Sequence, residues 1–355
     1  DYSRMMLSGS TIAEEHAYRA DLVLTHDGGY RDDSGFDQQK LSLRHDFQQG
    51  SLTVNSTFAL SNLNQETAGY ISGSESYKDS QLKDSNPNPE AFRDVWSARF
   101  ATRIEYIMDE RQHFSMTPYL RYTKMDFLQH FLPGDPLEEN GQKSLGLQSA
   151  YYRDVGENWN VIAGVDIEFT DGYLKQSQDA PTMGSAFLQA TIPIGKHYDY
   201  QIDARMIAPY IHTTWVVTPA LEMTFGFRYE MMDYDYDNKM VDGRTDEAGN
   251  TCGFGGCRYT RPGDRHDSFE NGSPKLAVLY HLNDTHRLYA NVSNGFRAPQ
   301  GAELYRLQRA QVVAELDSEE VNSFEVGLRG SGDQGRYDLA LYAMRKDNVI
   351  FRDSD

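Results

Sequence analysis

Leu221-Glu222-Met223-Thr224-Phe225-Gly226-Phe227-Arg228-Tyr229-Glu230 decides the fold. Leu221, Met223, Phe225, Phe227 and Tyr229 occupy one phase, and Glu222, Thr224, Gly226, Arg228 and Glu230 the other. Side chains of an extended strand point alternately to opposite faces, so this stretch has one apolar face and one polar face. A helix would scatter both sets around its circumference. The same alternation returns along about 14 or 15 segments of the chain.

A weak first strand is expected over Tyr2 to Ser8, and a second over His16 to His26. Lys40 to Phe47 and Ser51 to Leu60 form a hairpin across Gln48-Gln49-Gly50. His45 shares the apolar phase there, but it lies beside the turn, where a polar group is cheap. Strands follow at Val95 to Met108, His113 to Leu128, Ser144 to Asp154 and Trp159 to Thr170, and another ends at Val217. Pro118 lacks a ladder donor, which implies an edge or a bulge. Beyond the opening stretch come Leu276 to Tyr280, Leu288 to Val292, Phe324 to Leu328 and Tyr337 to Leu341, with a last strand beginning near Val349.

The connections carry a second signal. Short turns fall near residues 49, 110, 156, 218, 284 and, across Ser331 to Gly335, 333. Long polar segments separate them, at 61–93, 133–141, 171–198 and 231–268 among others. A soluble sandwich would spread loop lengths over both ends, and a propeller would need a blade-length repeat, which is absent. Short turns at one end and long loops at the other describe an antiparallel transmembrane β-barrel. Trp159 and Tyr152 beside the turn at 156, and Trp215 beside 218, then read as a girdle of interfacial rings.

Bulk composition agrees. No run of about 20 apolar residues exists, which excludes a helical membrane protein but not a barrel, where only alternate residues meet lipid. Tyr (23) outnumbers Phe (17), as suits rings with one end in hydrocarbon and one in water. The formal charge of −19 argues against binding nucleic acid, which needs a basic footprint. The chain opens at Asp1 already in strand-like sequence and closes at Asp355 just after a strand, so both ends are expected to be cut.

One segment is more specific. Asn291-Val292-Ser293-Asn294-Gly295-Phe296-Arg297-Ala298-Pro299-Gln300-Gly301-Ala302-Glu303-Leu304-Tyr305 resembles a stretch of the TonB-dependent outer-membrane receptors. Leu316-Asp317-Ser318-Glu319-Glu320 followed by Phe324-Glu325-Val326-Gly327-Leu328 continues the resemblance, with Ser318 where proline is common. Asp32-Asp33-Ser34 and Gln38-Gln39-Lys40-Leu41 look like an early barrel portion of siderophore receptors. The resemblance implies a barrel of about 22 strands closed by a plug. Residues 1–355 would then be part of that one barrel domain, without plug and C-terminal strands. It further implies an external iron-chelate ligand, energy from the TonB complex through the plug, and outer-membrane lipid around the wall. A passive porin of about 16 strands is the competing reading. A soluble β-sandwich or propeller is a third.

Within that frame, Arg297 and Tyr305 are the first candidates for ligand contact, because anionic ferric chelates need cationic and aromatic partners. The Gly295 to Pro299 turn has a structural reading beside this one: proline fixes φ and glycine relaxes a bend. Tyr70 and Tyr77, in the 61–93 loop, are further candidates. Cys252 and Cys257 bracket Gly-Phe-Gly-Gly and are expected to form a disulfide in an oxidising external loop. A zinc site there would need more ligands than His266. Asp233, Asp235 and Asp237 resemble half a calcium loop without its glycine and terminal glutamate, and read better as a solvated acidic loop. Arg99, Arg103, Arg121, Asp166, Glu168 and Arg228 share the lumen phase. No nucleophile–base pair or phosphate-cradling loop appears, so neither catalysis nor a cofactor is expected.

Overall fold

The alternating segments pair with their chain neighbours. In a computed structural model, which describes residues 1–309, 311–312, 315–332 and 335–351, one antiparallel sheet of 14 strands carries the chain. It begins with β1 (Tyr2–Ala13), β2 (His16–Asp27), β3 (Phe36–Gln49), β4 (Leu52–Glu66) and β5 (Phe92–Asp109). It continues through β6 (Gln112–Leu128), β7 (Leu137–Val155), β8 (Trp159–Gln178), β9 (Gly195–Thr218) and β10 (Leu221–Asn238). After β11 (Tyr259–Thr260) it resumes with β12 (Arg265–His281) and β13 (His286–Arg297). After β14 (Leu307–Gln308) it closes with β15 (Glu319–Gly332) and β16 (Gly335–Asp347). β11 and β14 pair only with each other. Sheet order follows chain order throughout, and β1 and β16 are the open edges.

Connections alternate as expected. One rim has the turns 14–15, 50–51, 110–111, 156–158, 219–220 and 282–285. The other has the segments 28–35, 67–91, 129–136, 179–194, 239–264 and 298–318. The expected turn near 333 lies outside the described residues.

Register makes the apolar face continuous. Leu43 stands opposite Phe58, Phe58 opposite Phe100, Phe100 opposite Leu120, Leu120 opposite Leu145, and Leu145 opposite Phe169. None is covered by protein: Leu120 is 52%, Leu145 56% and Phe169 50% exposed. Val161 and Val165 are half-exposed, and Phe225 and Leu339 exposed, on the same outward face. An apolar belt spanning this many strands is far larger than a water-facing surface tolerates, and it suits hydrocarbon. At the short-turn rim Trp159 and Trp215 stand opposite each other and stack at 4.9 Å. His45 is satisfied there by His16, with 2.9 Å between ring nitrogens, and stacks on Tyr18. Tyr152, expected beside Trp159, turns instead to the lumen and stacks on His113 at 4.2 Å; Tyr151 takes the outward position.

Three expectations need correction. Pro118 is at neither an edge nor a bulge: it lies inside β6 and pairs in register with Leu147 of β7. Its missing N–H faces β5, where the ladder skips from Ala101–Tyr119 to Ile104–Met116. Pro209 repeats the device in β9, where pairing with β10 skips from Arg228–Tyr210 to Met231–Ile207. The strands also outrun their apolar alternation. Met231 to Asn238 and Arg265 to Ser268, expected in a loop, are strand, as are Asp171 to Gln178 and Leu137 to Gly141. Beyond the hydrocarbon the outward phase becomes acidic (Asp233, Asp235, Asp237) and the inward phase aromatic (Tyr234, Tyr236). The period of two persists with its polarity inverted. Val349 to Phe351 forms no strand, and Arg352 lies outside the described residues.

Lumen-facing tyrosines lie flat over glycines of the next strand. Tyr119 faces Gly146, where an added Cβ would come within 2.1 Å of the ring. Tyr210 lies over Gly164 in the same way and donates to the Ser149 carbonyl at 3.2 Å.

Leu120→Arg should destabilise the full-length protein in lipid vesicles by about 2–4 kcal/mol, whereas Thr57→Arg on the lumen face should cost little. Urea unfolding followed by tryptophan fluorescence measures both; equal costs would contradict the assignment of faces.

Candidate functional site

The lumen wall is charged and self-paired. Arg228 donates to Asp166 at 2.6 Å and Glu230 at 3.2 Å, and Arg121 and Tyr119 both donate to Glu168. Arg103 pairs with Glu105. Arg103, Arg121, Asp166, Glu168 and Arg228 thus fall where the alternation puts them and are paired along the wall, whereas Arg99, opposite Arg121, has no hydrogen bond or ion pair among the described residues.

Above this wall three long loops fold inward and interlock. The 179–194 segment carries α1 (Ala186–Thr191), whose N-cap Ser185 accepts from the Leu188 amide at 3.3 Å. The 298–318 segment carries α2 (Gly301–Tyr305), closed by a capping box between Gln300 and Glu303. Between them runs 239–264 with the expected disulfide, Cys252–Cys257, at a Cα–Cα distance of 4.8 Å. Gly253 N donates to Ala190 O at 2.9 Å, Arg258 N to Thr191 O at 2.9 Å, and Arg309 N to Arg258 O at 2.7 Å. One buried cluster joins them: Leu174, Tyr198, Tyr200 and Tyr236 from the strands meet Cys257, Tyr259, Leu304 and Tyr305 from the loops. Tyr236 stacks on Tyr305 at 4.3 Å, and Tyr198 donates to Leu307 O at 2.6 Å.

Arg261 holds the middle loop. It is 1% exposed, and no carboxylate pairs with it among the described residues. Its guanidinium donates instead to carbonyls of Val241 (2.8 Å), His197 (3.0 Å) and Thr245 (2.8 Å), and to the Thr245 hydroxyl (2.7 Å). A buried cation is tolerable when its N–H groups are satisfied in this way.

The sequence candidates have different fates. Arg297 is fully engaged: two N–H groups grip Glu303 at 2.8 and 3.0 Å, and Nε donates to Glu319 at 2.8 Å. This ties the ends of β13 and β15 to α2. Tyr305 is completely buried and donates to Asp267 at 2.8 Å. Burial, then that bond, keeps its phenol well above its ordinary pKa and neutral. Arg297 and Tyr305 therefore each anchor α2, the one through Glu303 and the other through Asp267. Gly295 pairs regularly with Val321 and takes no left-handed φ, so no bend is relaxed there. Tyr70 and Tyr77 stand apart from the cluster on the 67–91 segment, 83% and 67% exposed. Asp233 and Asp235 meet His266 on the outward face at 3.7 and 2.8 Å, and Asp237 pairs with Lys239.

Beside the cluster opens a cleft of about 360 Å³, floored by Tyr198, Tyr259 and His197 and flanked by Phe131, Arg258 and Arg306. Behind it Glu138, 5% exposed, accepts from Gln129 (2.6 Å), Asn140 (2.7 Å) and Arg306 (2.8 Å). Sequence alone did not single out Arg258, Arg261, Arg306 or the cluster tyrosines other than Tyr305. Tyr198/Tyr200 and Tyr234/Tyr236 did carry a signal, the two-residue spacing of strand faces. The arginines carried none, because their partners are backbone carbonyls or lie far away in sequence.

Arg261→Met leaves its acceptors unpaired, at about 1–3 kcal/mol for each buried group. Limited proteolysis should then cut within 239–264 much faster, with the disulfide intact; unchanged cleavage would contradict its role. Glu303 is held below its ordinary 4.5, first by the hydrogen bond from Arg297 and then, against the cost of burial, by the Gln300 amide. A depressed carboxylate contributes stability above its unfolded pKa and loses it as pH falls through the folded value. Hydrogen-exchange protection across 297–305, corrected for the intrinsic rate at each pH, should therefore fall below about pH 4.5; protection unchanged there would refute the link.

The family model described as TonB dependent receptor-like, beta-barrel, matches residues 13–355. Among solved structures, the ferric citrate transporter FecA in its unliganded form aligns with a TM-score of 0.73 at 16% identity, over 99% of this chain and 49% of that one. The ferric-catecholate import receptor Fiu from E. coli K12, in its closed form, gives 0.70 at 15%, over 97% and 56%. The copper transporter OprC gives 0.69 at 13%, over 96% and 52%. At such identities these likenesses speak for the fold alone, and the chain spans about half the length of each. The match over residues 13–355 means that this chain belongs to the β-barrel family of the TonB-dependent receptors.

Proposed function

We propose that the whole protein imports a ferric-siderophore or similar iron complex across the bacterial outer membrane, with TonB supplying the energy. The observation that carries this reading is the interlocked cap: three long loops fold over a charge-lined lumen and leave a cleft beside their buried cluster. An energised receptor needs an external surface that grips its cargo before transport. A passive pore has no use for loops pinned shut over its own lumen. Proteins of similar structure are named for ferric citrate and ferric catecholate, and also for copper. They support uptake of a scarce metal complex, with iron the more frequent cargo. The reading includes a plug domain that contacts TonB and lipid around the apolar wall.

Deleting the gene should abolish uptake of at least one radiolabelled ferric chelate by iron-starved cells. Restoring the gene should restore uptake, and a protonophore should stop it. Uptake that ignores the protonophore would favour the pore. Normal uptake of every iron chelate in the deletion strain would remove the iron cargo.

A further inference from the structure

The acidic balance of the chain makes one place conspicuous. With 53 Asp and Glu against 34 Lys and Arg, the cleft beside the cap has no acidic side chain on its walls. Its polar lining is Arg258, Arg306, His197 and three glutamine amides, Gln129, Gln176 and Gln308. The nearby Glu138 stands behind the wall with its acceptors taken, and Arg306 neutralises it at 2.8 Å. Arg258 is different. It is exposed, its backbone is fixed by Thr191 and Arg309, and its guanidinium has no hydrogen bond or ion pair among the described residues. The cleft therefore keeps one uncompensated positive charge, on a loop whose backbone is pinned at that residue.

Resting on the uptake reading above, we infer that this cleft takes the anionic, carboxylate-bearing face of a small ferric chelate, with Arg258 as the residue that selects its charge. A guanidinium presents paired N–H groups that match a carboxylate fork, which a neutral chelate does not offer. Gln129 and Gln176 are buried and bonded to Glu138 and to each other, so the exposed Gln308 supplies the further amide, and Tyr198, Tyr259 and Phe131 supply apolar walls. The volume of about 360 Å³ is near the lower end for ligand pockets, which favours a hydroxycarboxylate complex over a peptide-sized one.

Calorimetric titration of the full-length protein in detergent tests this, with ferric citrate and a neutral ferric trihydroxamate as probes. Ferric citrate should bind and the neutral complex should not. Arg258→Gln should weaken ferric citrate by roughly 10- to 100-fold, and Arg258→Lys by less. Arg258 is exposed, so both variants should keep the heat-modifiable migration of a folded barrel, which is checked first. If the neutral complex binds as tightly and Arg258→Gln changes nothing, the charge inference falls while the uptake reading stands. If folded protein binds neither these nor any other ferric chelate, both fall.

Discussion

Hydrocarbon offers no hydrogen bonds, so every backbone N–H and C=O within it must find a partner in the protein. That constraint shapes this chain. It forces long strands paired in chain order and gives each strand an apolar face outside and a polar face inside. It also explains how Pro118 and Pro209 are accommodated. Each keeps its place in register with one neighbour, while the ladder to the other skips the pairs around it.

Where the strands rise out of the hydrocarbon the constraint relaxes, and the site begins. Outward positions become acidic and inward positions aromatic, so the strand tops present tyrosines to the loops. The loops answer with Tyr259, Leu304 and Tyr305, and the cluster closes. Two guanidiniums then do opposite jobs. Arg297 gathers carboxylates and ties strand ends to α2, whereas Arg261 gathers carbonyls and holds a loop whose only strand is the two-residue β11. Together they fix a cap rigid enough to leave a defined cleft.

Strand identity, the alternation of loop lengths and the facing of Val161 to Phe169 were legible because they follow from a period of two. Strand length was less legible, since hydropathy inverts at Asp233 while the backbone continues unchanged. Arg297 and Tyr305 stood out in the sequence, but pairing with Glu303, Glu319 and Asp267 gives them scaffold roles. Arg258 and Arg261 were invisible. What distinguishes them is the company of distant segments, one arginine left unpaired and the other surrounded by carbonyls.

The facing of the strands is the claim on which all of this rests. Spin labels placed singly at Val161, Val165, Phe225 and Leu339, and at Gly164, Asp166 and Arg228, in the full-length protein in vesicles would test it. The first set should collide with dissolved oxygen and the second with a water-soluble nickel chelate. Labels of the first set shielded from both reagents would mean a dry protein interior, and would contradict the barrel wall.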